Sequence, residues 1–440
     1  MTTSKFSHDG DQGSPTDYIE QVAGAAGAFV WVWLPGASEP VVAGRVQVTG
    51  TSTFGSVLSF AYGRSYRELP AAISLFTPEL PVRTGTFDPM APTTPGRDPV
   101  PLAGCLRDAA PDAWGRRVIN LRLGPDADVE LSELTYLLTA ASDRIGALDF
   151  QLSSTEYRPR GGGATLEQLV DIVERTEAGE QIPDDLAAAA GHGTSIGGAR
   201  PKALITDGSR QLIAKFSSST DDRPVVKAEA LGMTLAREVG IDAPDVRIVH
   251  AVGKDVLLVD RFDRTNDEGR RILLSGLTVL GVGEYSARYA SYPMLADAIV
   301  ASFVNPQLAL EQLYRRLVFN IVIGNNDDHL RNVAAFWDGH SLRLAPAYDL
   351  TPQTRRTQVS TQAIAITDAG DRASQLWVAH KAAPAFHLSP QAATAIIDDI
   401  VSGVRAHFDD AADRAELTTT ERRILLGREI LNPYVFYDTP

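Results

Sequence analysis

Short apolar runs interrupted by glycine and proline dominate the N-terminal part of the chain, to about residue 105. The apolar stretch at residues 29–33 predicts a first strand, and the β-branched segments VVAGRVQVTG and GSVLSFAYG predict further strands. Two later segments, LRDAAPDAWGRRVINLRL and LSELTYLLTAASDRIGALDF, carry apolar residues at three- and four-residue spacing, which is typical of amphipathic helices. The pattern predicts a small, mostly β unit followed by helices.

A glycine-rich tract near residue 160 marks a change in this pattern. It leads into a short amphipathic helical pattern and then into strand-like runs, and from about residue 370 alanine-rich amphipathic helices follow. We therefore predict an α+β fold with a small mostly β N-terminal subdomain and an all-helical C-terminal lobe. The predicted units are a flexible lead (residues 1–28), a β/α subdomain (29–160), a lobe with a glycine-rich loop (161–265) and a helical lobe (266–440).

Composition and charge narrow the functional classes. The 440 residues exceed what a single core usually accommodates, and a hydrophobic share of 44% supports a substantial packed interior. The net charge of −14 disfavours direct binding to a phosphate backbone. Cys105 is the only cysteine, which excludes an internal disulfide and a cysteine-based zinc site and favours a reducing cytoplasm. The first residues lack a signal-peptide pattern and no apolar window is long enough to span a bilayer, so we expect no membrane association.

Glycines concentrate in the segment GHGTSIGGARPKALI, residues 191–205. Glycine allows backbone N–H groups to approach a phosphate closely, so this segment is a candidate phosphate loop, and a flexible turn is the alternative. Ala203 follows Lys202 where the P-loop pattern requires serine or threonine. The Walker motif is therefore excluded.

Lys215 lies near the end of an alternating apolar segment, QLIAKF, that predicts a buried strand. A lysine in this position either extends its ammonium group to solvent or pairs with phosphate and with an acid on the next helix, for which Glu229 is the candidate. A later strand runs into the linker DRFDR, whose backbone could bind adenine while Phe262 covers the ring. Taken alone, this linker is better explained as a charged strand end closed by Asp–Arg pairs.

A polar loop after a helical pattern carries the strongest chemical signal. Gly324 ends the helix, and Asp327 and Asn332 follow with the separation found in a kinase catalytic loop, where the aspartate orients a hydroxyl and the asparagine holds Mg²⁺. A hairpin pattern then returns the chain at Asp349, which predicts oxygen ligands converging on one cation. Individually, each residue could be a turn or cap residue. The histidines show no HxH or HxxxH spacing, so we expect His329 to orient the loop or contact phosphate rather than bind zinc.

In this order, the segments resemble the HipA family of type II toxin–antitoxin serine/threonine kinases, from about residue 29 to about residue 430. SIGGARPKA is similar to the family's phosphate loop, AKF to the strand with its ATP lysine, DRFDR to its adenine-contacting hinge, DDHLRN to its catalytic loop and AYDL to its metal-binding segment. The resemblance implies a two-lobed, kinase-like fold and the transfer of phosphate from ATP to a protein hydroxyl in the presence of Mg²⁺.

The resemblance also implies roles for individual residues. Asp327 would be the catalytic base, and Asn332 and Asp349 would be the Mg²⁺ ligands. Lys215, supported by Glu229, would contact the ATP phosphates. The other ATP-contacting residues that it implies are Gly197, Gly198, Ala199, Arg200, Pro201, Lys202, Asp260, Arg261, Phe262, His329, Leu330, Arg331, Asn332, Tyr348 and Asp349.

Regulation and partners follow from the same resemblance. It implies autophosphorylation of Ser195, a HipB-like helix-turn-helix antitoxin, contact with DNA only through that antitoxin, and a protein substrate, of which glutamyl-tRNA synthetase is the family's best-known example. One departure is Asp328, where the family commonly has a small glycine, and this extra carboxylate could repel phosphate or recruit a cation. Two alternatives remain open: a catalytically weak module that binds an antitoxin, and a small-molecule kinase on a related fold.

Overall fold

The computed structural model describes residues 18, 21–22, 24–52, 55–89, 100–124, 130–194, 198–265, 267–355 and 357–437. Most of the predicted lead lies outside these residues, as do Ser195 and Gly197 of the predicted phosphate loop. Part of the lead makes ordered contacts: the Tyr18 hydroxyl donates to the Leu138 carbonyl oxygen at 2.8 Å, Val22 is buried, and Gly27 and Ala28 begin the first strand. Ordered structure therefore begins before residue 29, earlier than predicted.

An antiparallel sheet and four short helices form the N-terminal unit. The strands are β1 (Gly27–Val32), β2 (Val41–Ser52), β3 (Gly55–Tyr62) and β4 (Leu148–Gln151), and the helices are α1 (Arg64–Arg67), α2 (Gly104–Arg107), α3 (Ala113–Leu123) and α4 (Glu133–Thr139). The strand order is β3-β2-β1-β4. The first three strands confirm the predicted β segments, and Val30, Val46 and Phe60 from these strands are buried in one apolar cluster.

The segment LSELTYLLTAASDRIGALDF is only partly helical, contrary to the prediction. After α4 the chain turns, with Gly146 at φ +80°, and enters β4 instead of continuing as a helix. β4 pairs antiparallel with β1, where Val30 lies opposite Phe150. This pairing buries Leu148 and Phe150, so a distant strand, rather than local apolar spacing, determines the conformation.

A second antiparallel sheet lies between helices in the middle unit. Its elements are α5 (Leu166–Ala178), α6 (Ala187–Ala190), β5 (Lys202–Asp207), β6 (Arg210–Phe216), α7 (Val225–Glu238), β7 (Val246–Ala251) and β8 (Lys254–Asp260). The strand order is β5-β6-β8-β7. Val256 and Leu258 of β8 pack with Trp114 of α3 and with α5. Leu257 and Val259 face the opposite way and pack with α7.

The C-terminal part combines helices with a small sheet. Its elements are β9 (Ile272–Ser275), α8 (Gly276–Leu280), α9 (Tyr292–Ser302), α10 (Pro306–Ile323), β10 (Ala334–Trp337), β11 (Leu342–Leu344), α11 (Leu376–Ala382), α12 (Pro390–Arg414) and α13 (Thr419–Leu425). The prediction that this lobe is all-helical is corrected by the sheet, whose order is β11-β10-β9. Leu274 and Trp337 share a buried cluster with Val30, so this sheet packs against the N-terminal unit. Within the described ranges, no helix has the length and apolar character needed to cross a membrane.

Helix α10 runs through the C-terminal core and positions the polar loop that follows it. Its second half is almost entirely buried against α9, α11 and α12. The helix ends at Gly324, as predicted, with φ +72°. A Cβ atom at this position would lie 2.6 Å from the Glu429 carbonyl oxygen, so only glycine fits here. The loop therefore begins from a rigid support.

Candidate active site

Lys202 and Lys215 stand side by side on the sheet of the middle unit. The two residues are directly opposite each other in the antiparallel pair of β5 and β6, so their side chains share the face that α7 covers. Both side chains are largely enclosed, and Lys202 is only 4% exposed. Because two enclosed ammonium groups repel each other unless anions compensate them, this face is a candidate anion site.

Lys215 connects two carboxylates from different parts of the chain. Its Nζ atom donates to Glu229 Oε1 of α7 at 2.5 Å and to Asp349 Oδ1 at 2.6 Å. Burial opposes the charge on Lys215, but Asp349 and Glu229 together raise its pKa above the ordinary value. Burial alone would raise the pKa of Asp349, yet the Lys215 ammonium group lowers it to about 2. Lys215 and Asp349 are therefore both charged at neutral pH.

Asp327 and Asn332 lie in the loop after α10. The Asn332 Nδ2 atom donates to the Asp327 carbonyl oxygen at 3.1 Å, which leaves the amide oxygen of Asn332 available to a ligand. The Asp327 carboxyl group is exposed. Its partial burial raises its pKa; His329 opposes this shift, and Asp349 adds to it. In the described part of the chain, His329 Nδ1 is buried and has no hydrogen-bond partner, so it too could contact a ligand.

Asp349 has a left-handed backbone conformation. Its φ of +60° lies in the left-handed region, which residues other than glycine rarely adopt. Mg²⁺ is usually held by one or two carboxylates together with phosphate oxygens and water, and the oxygens of Asn332 and Asp349 fit such a partial set. Among the described residues, no group of three His, Cys, Asp or Glu side chains could hold a metal ion. A cation here would therefore depend on oxygens from a bound ligand.

Asp328 points away from this site, contrary to expectation. Its Oδ2 atom accepts a hydrogen bond from the Tyr292 hydroxyl at 2.6 Å, and its Oδ1 atom accepts one from the Ala363 backbone N–H at 3.0 Å. Burial raises the pKa of Asp328 to about 6, although the Tyr292 hydrogen bond opposes the shift. Its carboxyl group anchors the loop after α10 to α9, so the expectation that it repels phosphate or recruits a cation is wrong.

Three aromatic side chains lie between the linker after β8 and the C-terminal sheet. The ring centroid of Phe262 is 5.7 Å from that of Tyr348 and 6.0 Å from that of Phe336. The Tyr348 hydroxyl donates to the Arg331 carbonyl oxygen at 2.5 Å, which links these rings to the loop that carries Asp327. Phe262 and Tyr348 are only half-buried. Their rings therefore offer an apolar surface next to Asp349 that suits a flat heterocycle.

The Arg261 side chain is enclosed by carboxylates instead of facing these rings. Its guanidinium group pairs with Asp143 at 2.8 Å and with Asp263 at 2.9 Å. Arg264 pairs with the same two acids. For these side chains, the alternative interpretation of a strand end closed by Asp–Arg pairs is thus the correct one.

Several other predicted ATP contacts have side chains that are already engaged by the protein. Three of them form ion pairs: Asp260 with Arg210, Arg200 with Asp221, and Arg331 with Glu284. Leu330 and Pro201 are buried. Gly198 has φ +111° and lies with Ala199 in the loop before Lys202. A side chain at residue 198 would collide with the Lys202 ammonium group.

Asp112 is a functional candidate that sequence reasoning missed. It caps α3 by accepting a hydrogen bond from the Gly115 backbone N–H at 3.0 Å, and its Oδ2 atom lies 3.6 Å from Lys202 Nζ. Burial raises the pKa of Asp112 and lowers that of Lys202, and each group opposes the shift of the other. The N-terminal unit thus supplies a counter-charge to Lys202. An aspartate before a helical pattern indicates a cap, but it does not identify a distant partner.

Known proteins share sequence with the second half of the chain. Residues 194–408 match the model of the HipA-like C-terminal domain. The protein named serine/threonine-protein kinase toxin HipA from Shewanella oneidensis is 26% identical over 183 residues, which cover 36% of this chain and 42% of that protein. A Haemophilus influenzae protein with a provisional name as a kinase is 26% identical over 178 residues, which cover 36% of this chain and 52% of that protein. The chain thus spans about half or less of the length of these curated relatives.

The fold is similar to that of a solved structure over most of the chain. A chain in the complex of HipA, HipB and operator DNA from Shewanella oneidensis matches with a TM-score of 0.63 and 17% identity, covering 91% of this chain and 96% of that one. This likeness confirms the predicted α+β, kinase-like fold. Fold and site together define a kinase-like protein with a candidate nucleotide cleft between its sheet and the loop after α10. Residues 194–408 belong to the HipA-like C-terminal domain family, as the motifs in this part of the chain predicted.

Proposed function

We propose that the chain is an ATP-dependent serine/threonine protein kinase and the toxin of a type II toxin–antitoxin pair. The observation that carries this proposal is the position of Lys215 between Glu229 and Asp349. Protein kinases use such a lysine to hold ATP phosphates, a glutamate on the next helix to orient the lysine, and an aspartate to hold Mg²⁺. The names of the two curated relatives agree with this class of activity.

Lys202 and Lys215, on the sheet face that α7 covers, would bind the phosphates of ATP. The two lysines offer two adjacent positive charges. Phosphate oxygens would pair with these ammonium groups beside Asp112 and Asp349, the carboxylates that already compensate the two charges. Phe262 and Tyr348 would cover the adenine ring. Mg²⁺, when bound through Asn332 and Asp349, would supply charge neutralisation at the phosphate oxygens.

Asp327 would accept the proton of the attacking hydroxyl group. Its carboxyl is exposed beside Asp349, so an acceptor side chain could approach it from solvent. A raised pKa suits this role, because a carboxylate with a very low pKa accepts protons poorly. The Asn332 hydrogen bond to the Asp327 carbonyl oxygen would hold the base and the cation ligand in a fixed relation.

The proposed partners rest on likeness. The structural relative is a complex of HipA with HipB and operator DNA, which supports a HipB-like antitoxin for this chain. The net charge of −14 favours contact with DNA only through that partner. Three further proposals rest on the motif resemblance: a protein substrate such as glutamyl-tRNA synthetase, autophosphorylation of Ser195, and a cytoplasmic location.

Phosphate transfer from labelled ATP tests the proposal. The full chain is incubated with γ-labelled ATP, Mg²⁺ and purified glutamyl-tRNA synthetase, and mass spectrometry locates the label. Label on serine or threonine of either protein supports the proposal, and its loss in Lys215→Met ties transfer to the site. Label on a metabolite would favour the small-molecule kinase, and absence of transfer with intact antitoxin binding would favour the regulatory module.

A further inference from the structure

Two exposed tyrosines and an arginine project from the surface next to the catalytic loop. Tyr285 is 58% exposed and Tyr289 is 74% exposed. Arg288 lies over both rings, with its guanidinium carbon 5.8 Å and 5.9 Å from their centroids. We call residues 284–289 the tyrosine ledge. Exposed tyrosine and arginine are enriched at the energetic centres of protein interfaces, whereas a monomer gains little from exposing them.

The ledge is fixed to the catalytic loop from two sides. Glu284, at its start, pairs with Arg331, which lies in the same loop as Asp327. Tyr292, shortly after its end, donates to the Asp328 carboxyl at 2.6 Å. The ledge is therefore attached to the loop that carries the exposed Asp327 carboxyl group.

Positive charge without a carboxylate partner marks this surface. The Arg288 Nε atom donates to the Tyr285 carbonyl oxygen at 2.7 Å. Arg372 donates to the carbonyl oxygens of Gln362, Ala363 and Arg288. In the ranges that the structure describes, neither arginine forms an ion pair with an acid. Since the whole chain has a net charge of −14, this local excess of positive charge favours an acidic partner.

We propose that the tyrosine ledge docks an acidic segment of the protein substrate and brings the acceptor serine or threonine to Asp327. Carboxylates of the substrate pair with Arg288, and the rings of Tyr285 and Tyr289 cover the adjoining aliphatic atoms. The inference rests on the proposed kinase function and adds a substrate class to it: a hydroxyl residue flanked by aspartate or glutamate. The nucleotide is held elsewhere, between Lys215 and Phe262, so the two ligands do not compete.

Short serine peptides with aspartate, alanine or lysine on both sides of the acceptor test this inference. Their binding to the full chain is measured by fluorescence anisotropy, and their phosphorylation is measured with labelled ATP. Arg288→Glu reverses the ledge charge. Arg405→Glu is the matched control, because Arg405 is also exposed and also lies over an aromatic ring, that of Phe436 at 5.6 Å, but projects from α12. A second variant, Tyr285→Ala with Tyr289→Ala, removes the rings while keeping the charge.

The wild-type chain should bind the aspartate peptide about tenfold more tightly than the lysine peptide. Arg288→Glu should abolish this preference and raise the KM for the aspartate peptide about tenfold with little change in kcat, whereas Arg405→Glu should change neither. Equal affinity of the wild type for all peptides, or an unchanged preference in Arg288→Glu, would overturn the docking inference. So would a loss of antitoxin binding in Arg288→Glu with peptide binding intact. Selective peptide binding without any phosphate transfer would instead refute the kinase function and leave the docking surface standing.

Discussion

Asp349→Asn separates the charge of this carboxyl group from its backbone conformation. Asparagine tolerates the left-handed region better than other side chains, so the φ of +60° is retained at little cost. The amide keeps the size of the side chain and one oxygen. What it removes is the negative charge that pairs with Lys215.

The magnitude follows from the pKa of Asp349. A pKa lowered from 3.8 to about 2 would correspond to about 2.4 kcal/mol of folding stability at neutral pH. Because 40% of the side chain is exposed, solvent screens the pair, and we expect a loss of about 1 kcal/mol in the variant. Since the folded pKa is depressed, this contribution is complete above the unfolded pKa of 3.8 and disappears as the pH falls through about 2.

Urea unfolding of the wild type and of Asp349→Asn at about pH 7 and about pH 3 measures the effect. The deficit of the variant should shrink by roughly half at the lower pH. Asp349→Ala is the control, because alanine at this φ adds about 1 kcal/mol of backbone strain that does not depend on pH. Nucleotide titration should show that Asp349→Asn loses the Mg²⁺-dependent part of its ATP affinity. A deficit of equal size at both pH values, or none at all, would refute the electrostatic reasoning.

Three further substitutions test other parts of the structure by chemical unfolding. Val252→Asn should stabilise the chain by about 1 kcal/mol, because Val252 has φ +49° in a two-residue turn and is 63% exposed, so little packing is lost. Asp143→Ala should destabilise it by about 2–3 kcal/mol, since two enclosed arginines lose a shared acid, whereas Glu156→Ala at a fully exposed pair should have little effect. Asp328 has a raised pKa of about 6, so the wild type should gain stability relative to Asp328→Asn as the pH falls through 6, by up to about 3 kcal/mol. An unchanged free energy of unfolding in Val252→Asn would contradict the first expectation. Equal losses of stability in Asp143→Ala and Glu156→Ala would contradict the second, and parallel pH profiles of stability for the wild type and Asp328→Asn would contradict the third.

Local patterns in the sequence predicted the elements whose partners lie nearby. The strands β1 to β3, the hairpin of β10 and β11, and the helix that ends at Gly324 all have alternation, turn or stop signals of their own. β4 and β9 were missed because each pairs with a strand far along the chain, β4 with β1 and β9 with β10. Short apolar segments of this kind are strands only because a distant edge is available to them.

The spacing of polar residues indicated which groups belong to the site, but not how each one is oriented. Lys215, Glu229 and Asp349 were all predicted from the sequence, and the structure brings them into contact. Asp328 follows Asp327 directly, yet neighbouring side chains in a loop point in different directions, and only the fold shows that one is exposed and the other is bonded to Tyr292. Orientation depends on tertiary partners that periodicity does not reveal.

The central claim is that Asp327 takes the proton of a hydroxyl group at a site where other residues hold ATP. Rapid-quench transfer of labelled phosphate by the wild type and by Asp327→Asn, together with the ATP affinity of both, tests it most directly. We expect similar ATP affinity and transfer that is slower by about 10²–10⁴-fold in the variant. Transfer at the wild-type rate by Asp327→Asn would contradict the account.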